Sequence, residues 1–135
     1  MRQSIVNLTL VVRDYDEAIE FYTQVLNFDL VEDTKMSDTK RWVRVQPMRV
    51  QPKGGQCCLL LAKAVGEQQV KAIGNQTGGR VFLFLHTDDF HRDFSRYVER
   101  GVKVIREPSV EEYGTVAVIT DLYGNKIDLI EPVNS

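Results

Sequence analysis

An indole and a guanidinium two positions apart, Trp42 and Arg44, are joined by the phenol of Tyr113 as the side chains best suited to grip a small molecule. An aromatic beside an arginine can hold a planar or anionic ligand. Other chemistry is scarce. Ser4, Ser37, Ser95 and Ser109 lie in no Gly-x-Ser-x-Gly context, and Gly74, Gly78 and Gly79 lack the Lys and Ser/Thr of a P-loop. Hydrolase and nucleotide-binding functions are set aside on that ground. His86 falls at the end of a strand-like run, beside a helix cap, and His91 in a helix's first turn, so both read as capping or surface residues. Cys57 and Cys58 are adjacent in a strand-like run and point to opposite faces, which makes them poor disulfide partners and reduced packing residues.

The elements that must position these groups belong to an ordinary globular chain. Of 135 residues, 43% are apolar and 27% charged, which excludes disordered and fibrous classes. Roughly two-thirds of the surface is buried on folding at this length, so neither a metal nor a disulfide is needed to hold a core together. The net charge of −2, without a dense Lys/Arg cluster, argues against a nucleic-acid partner. The longest apolar run, Cys57 to Ala62, is far short of the ~18 residues of a membrane span, and the N-terminus lacks signal-peptide anatomy. No membrane partner and a cytoplasmic location are the expectations.

An internal repeat organises the sequence. Residues Asn7 to Glu32 laid on Phe82 to Glu107, a constant shift of 75, pair Leu8 with Leu83, Leu10 with Leu85, Asp14 with Asp89, Tyr22 with Tyr97 and Glu32 with Glu107. Each half predicts a strand, a helix and three strands. The first has strands over Ile5–Val12, Phe28–Glu32, Arg41–Gln46 and Cys57–Lys63; the second over Arg80–Thr87, Lys103–Arg106, Thr115–Thr120 and Lys126–Glu131. Asp14 with Glu17 has the spacing of a capping box, and Ala18, Ile19, Tyr22 and Val25/Leu26 form one helical stripe ending at Asn27. Asp89 caps the second helix, striped by Phe90, Phe94 and Tyr97/Val98, and Gly101 stops it. Pro47, Pro52, Gly54 and Gly55 break one half, and Tyr123-Gly124-Asn125 the other. The expectation is one domain over 1–135: module one about 4–65, a linker 66–79 and module two about 80–132.

Leu10-Val11-Val12-Arg13-Asp14 leading into Phe21 to Phe28, with Asp121-Leu122-Tyr123-Gly124-Asn125-Lys126-Ile127-Asp128-Leu129 near the end, resembles the vicinal oxygen chelate superfamily, the glyoxalase, bleomycin-resistance and extradiol-dioxygenase group. The resemblance implies an α+β fold in which two βαβββ modules form a curved eight-stranded half-barrel sheet around a cavity, usually in a homodimer. Metal-dependent members hold a divalent ion through the first and last strands of the modules. The corresponding positions here are Asn7, Phe82, Asp128 and, aligning Gly55 with Gly124, Leu59. A catalytic divalent site needs about three N, O or S ligands. Only Asp128 keeps an ionisable one, so no cofactor is expected, with a divalent metal in a reduced site as the alternative.

If Asn7 and Phe82 face the cavity, alternation adds Thr9, Val11 and Phe84, then Lys126 and Ile130 beside Asp128, and Cys57 and Leu61 beside Leu59. Leu8, Leu10, Leu83 and Leu85 are then placed under the helices. A carboxylate in such apolar surroundings needs a partner or a raised pKa; Lys126, Arg44, a cationic ligand or a proton are the choices. The candidate ligand-binding residues are therefore Asn7, Thr9, Trp42, Arg44, Leu59, Phe82, Phe84, Tyr113 and Asp128, with Asp128 the candidate catalytic base. Three functions compete: a metal-free small-molecule-binding protein, a lyase or dioxygenase with an atypical site, and an assembly module whose cavity is filled.

Overall fold

Asp14 and Asp89 start the two main helices in the same way. Each has extended backbone, and its carboxylate accepts an N–H three residues on, from Glu17 at 3.0 Å and from Arg92 at 3.1 Å. That satisfies a donor the helix start would otherwise leave unpaired. The computed structural model describes residues 2–47 and 57–133. Pro52, Gly54 and Gly55 of the expected turn lie outside the described residues.

Module one runs β1 (Asn7–Val12), α1 (Tyr15–Glu20) continuing as a π-helical turn over Phe21–Val25, β2 (Phe28–Lys35), β3 (Arg41–Pro47), β4 (Cys58–Lys63) and a short α2 (Glu67–Ala72). Module two runs β5 (Val81–His86), α3 (Phe90–Glu99), β6 (Val104–Glu111), β7 (Gly114–Thr120) and β8 (Lys126–Pro132). Both are βαβββ, and the chain is α+β. The eight strands are shared between two four-stranded mixed sheets, ordered β1-β4-β3-β2 and β5-β8-β7-β6. In each, the first strand pairs parallel with the last and the other pairs are antiparallel. The chain divides into two compact units between Ile73 and Gly74, inside the expected linker, which also carries α2.

In module one α1 packs on β3 and β4, and Leu10, Val12, Val43, Val45 and Leu61 are buried with Ala18, Tyr22 and Leu26. In module two Leu85, Ala117, Ile119, Ile127 and Leu129 are buried with Phe90 and Tyr97 of α3. Asn27 (φ 62) and Gly101 (φ 84) are left-handed just past the helices, as their sequence positions predict. β6 runs on to Glu111, past its expected end at Arg106. Pro108 falls in the register irregularity between Arg106 and Ser109, so its missing N–H does not interrupt a regular ladder.

The turn before β8 is built on Asp121. Its buried carboxylate accepts the N–H groups of Tyr123 and Asn125 and the Asn125 Nδ2, each at 2.9 Å. Asn125 Oδ1 in turn accepts the Gln76 N–H at 3.1 Å. Gly74 lies so close that a Cβ there would meet the Tyr123 carbonyl oxygen at 2.0 Å. Asp121→Ala leaves these donors facing a void, and the expected outcome is a loss of about 3 kcal/mol, read as a lowered urea midpoint with an unchanged slope.

Candidate functional site

Directly paired residues of neighbouring strands share a face, so the registers sort the candidate residues. In module one Leu59 pairs with Val45 and Leu61 with Val43, which sets both leucines on the helix side, buried. The face turned away from the helix carries instead Cys58, Leu60 and Ala62, paired with Asn7, Thr9 and Val11. Leu59 is thus misplaced by the glycine alignment. The structural counterpart of Asp128 is Leu60: Thr9 pairs with Leu60 as Phe84, 75 residues later, pairs with Asp128. Cys57 and Leu61 leave the expected cavity side with Leu59. A one-residue slip inverts a strand's faces, and the alignment is anchored on Gly55, which lies outside the described residues.

The far face of module one is crossed by a polar network. Arg44 Nε donates to Asn7 Oδ1 at 2.9 Å, Nη1 meets Glu32 Oε1 at 3.4 Å and Nη2 reaches Cys58 Sγ at 3.4 Å. The Cys58 thiol points on to Gln46 Oε1 at 3.7 Å. Neighbouring Cys57 has its thiol pushed up by burial, reinforced by the charge of Cys58, and both cysteines are free. Glu32, Gln46 and Cys58 escaped the sequence reading, because nothing marks which β2 residues oppose Arg44 across the register shift between Leu30 and Glu32. Beside the network, where β4 leaves the sheet and β3 begins, lies a cleft of about 510 Å³. Thr9, Trp42, Leu60 and Ala62 line it, with Lys40, Arg41, Lys63, Val65 and Gln69 around them.

In module two the corresponding row is Arg106, Val118, Asp128 and Phe84, one residue from each of β6, β7, β8 and β5. Phe84 is exposed and Asp128 half-buried. Burial raises the Asp128 pKa above the ordinary carboxylate value, and the charge of Arg106 opposes that rise. Lys126, an expected partner, instead donates to the Gly79 carbonyl at 3.0 Å. Phe82 falls in the register irregularity between Val81 and Leu83. Tyr113 is exposed in the β6–β7 turn, five residues before Val118 of the Val118–Asp128 pair, about 17 Å by strand rise. His86 and His91 are both exposed.

The donor set does not fit a divalent ion at the first-strand and last-strand positions. Asn7 Oδ1 is engaged by Arg44, Phe82 and Leu60 offer no ligand atom, and Asp128 stands as a single carboxylate. Among the described residues no group of three or more His, Cys, Asp and Glu side chains is arranged to hold a metal.

Paired βαβββ modules, each closing its sheet by parallel pairing of first and last strands, define an α+β protein of duplicated architecture. The chain belongs to the Glyoxalase/Bleomycin resistance protein/Dioxygenase superfamily, whose profile matches residues 4–129. It is 54% identical over 132 residues to an uncharacterized protein of Shewanella frigidimarina, covering 97% of this chain and 95% of that one. Among solved structures it is similar to UcmS2, with a TM-score of 0.81 and 27% identity, covering 97% of this chain and 99% of the other. It is also similar to TnmS3, an antibiotic binding protein from Streptomyces sp. CB03234, with a TM-score of 0.73, 29% identity and 97% of each chain covered.

Because folding raises the Asp128 pKa, the folded state holds its proton more tightly than the unfolded chain. Stability is then favoured below the ordinary carboxylate range and falls as pH rises through it to the folded-state value. Asp128→Asn should therefore raise the thermal midpoint slightly at neutral pH and leave it unchanged where both states are protonated, measured by melting at a series of pH values.

Proposed function

We propose that this superfamily member is a small-molecule-binding protein that works without a bound metal. The cleft beside the Arg44 network carries the reading: at about 510 Å³ it falls within the range of small-molecule sites, roughly 300–1,000 Å³, and it combines apolar walls with a few polar groups. The donor set supports the same view, since Arg44 ties up Asn7 and Leu60 stands opposite Asp128's position in the repeat. So does the likeness to TnmS3, itself an antibiotic binding protein. The same reading has the protein acting in the cytoplasm as a homodimer, with neither nucleic acid nor membrane as partner.

Metal content after exposure to Ni, Zn, Fe(II), Mn and Co, measured by plasma mass spectrometry on tag-free protein, tests the metal-free half. Well under one equivalent per chain is expected; one equivalent, lost in Asp128→Ala, would return the protein to the lyase and dioxygenase class. A thermal-shift panel of neutral aromatic and aliphatic compounds tests the other half. A concentration-dependent rise in melting temperature with some of them is the expected result, and an entirely flat panel would favour an assembly role.

A further inference from the structure

We propose that the module-one cleft selects a planar aromatic anion, an aryl carboxylate or a phenolate, with Trp42 as the stacking surface and Lys40 and Lys63 as the charge that recognises it. This deepens the small-molecule reading and rests on it.

Charge is the first observation. Three of the residues lining the cleft are basic and none is acidic, in a chain whose net charge is −2. Arg41 is already neutralised: its guanidinium meets Asp33 at 2.7 Å and Asp16 at 2.9 Å, and those hydrogen bonds hold its pKa above the ordinary value. It also lies over the Tyr15 ring, 5.2 Å from the centroid. Lys40 and Lys63 are exposed, and neither ammonium has an ion-pair partner among the described residues. The free positive charge at the cleft is thus two lysines, compact point charges suited to a carboxylate or phenolate oxygen.

Shape and polarity supply the rest. Trp42 is half-buried, and among the described residues no ring or cation stacks on it. Across the sheet Trp42 follows the ladder that pairs Val43 with Leu61, which sets its neighbour on β4 as Ala62, a side chain small enough to leave an indole face uncovered. Gln69 of α2 accepts the Val65 N–H at 2.8 Å through Oε1, which leaves its amide NH2 as a donor at the cleft. A flat apolar surface, two unpaired cations and a further donor match an aromatic anion better than an aliphatic or cationic ligand, since a cation would face like charge.

Trp42 is the chain's single tryptophan, so its emission reports on this cleft alone. The test compares β-naphthoate with two probes of the same shape, neutral β-naphthylmethanol and cationic β-naphthylmethylammonium, at low salt by Trp42 fluorescence and calorimetry. β-Naphthoate should bind once per chain with a saturable change in emission and tightest of the three. Replacing both rim lysines, Lys40→Gln with Lys63→Gln, should weaken β-naphthoate about fivefold and leave the alcohol unchanged, as expected for two exposed charges. Added salt should weaken the acid selectively. Trp42→Leu, followed by calorimetry, should weaken acid and alcohol together. Equal binding of acid and alcohol, or an acid preference untouched by the double lysine variant, overturns the anion assignment while leaving small-molecule binding standing. Failure of all three naphthyl probes alongside positive aliphatic compounds in the thermal panel overturns the aromatic assignment; failure of every compound overturns both readings.

Discussion

Parallel pairing of the first strand of each module with its last is the constraint on which the remaining geometry depends. β1 on β4 brings residues 51 positions apart into register and β5 on β8 residues 44 or 45 apart, and no short turn could do so. Once that register holds, every alternate residue is committed to the helix side, and its neighbours are left on the far face. Leu10 and Val12 enter the core, while Asn7, Thr9 and Val11 do not. The antiparallel strands β3 and β7 follow, because they are laid against β4 and β8.

The two far faces share this frame and differ in chemistry. In module one the row through β3 is an arginine braced by Asn7, Glu32 and Cys58; in module two the same row through β7 is Val118, and the charge has moved to Asp128 and Arg106. Bracing matters for selectivity. An arginine braced inside the sheet is a fixed wall, whereas lysines at a cleft mouth without ion-pair partners among the described residues leave their charge for a visitor.

Much of this arrangement is legible in the residues themselves. The caps at Asp14 and Asp89, the left-handed Asn27 and Gly101, and the paired modules follow from local chemistry that the tertiary fold does not override. Arg44 stands out in the sequence as an arginine near Trp42 and not by its face, but the placement of Asn7 and Thr9 on one face follows from strand alternation. The placement of Leu59 does not, because its face depends on counting residues between β3 and β4, and a single residue of error inverts a strand. The cleft was illegible for another reason. Lys40, Lys63 and Gln69 come from a turn, a strand end and a helix within the expected linker, and none carries a periodic signal that would set them beside Trp42.

The π-helical turn over Phe21–Val25 explains how the two halves tolerate unequal lengths. From cap to left-handed stop there are thirteen steps in module one, Asp14 to Asn27, but twelve in module two, Asp89 to Gly101. The Leu26 N–H reaches back five residues to the Phe21 carbonyl at 3.1 Å, so the extra residue is absorbed as a wider coil. Ala18, Tyr22 and Leu26, spaced four apart, would drift around a regular helix of 3.6 residues per turn, yet all three stay buried. Duplicated modules that diverge by single insertions can therefore store the difference in a helix, where it costs a bulge, and spare the strands, where it would turn a binding face into core.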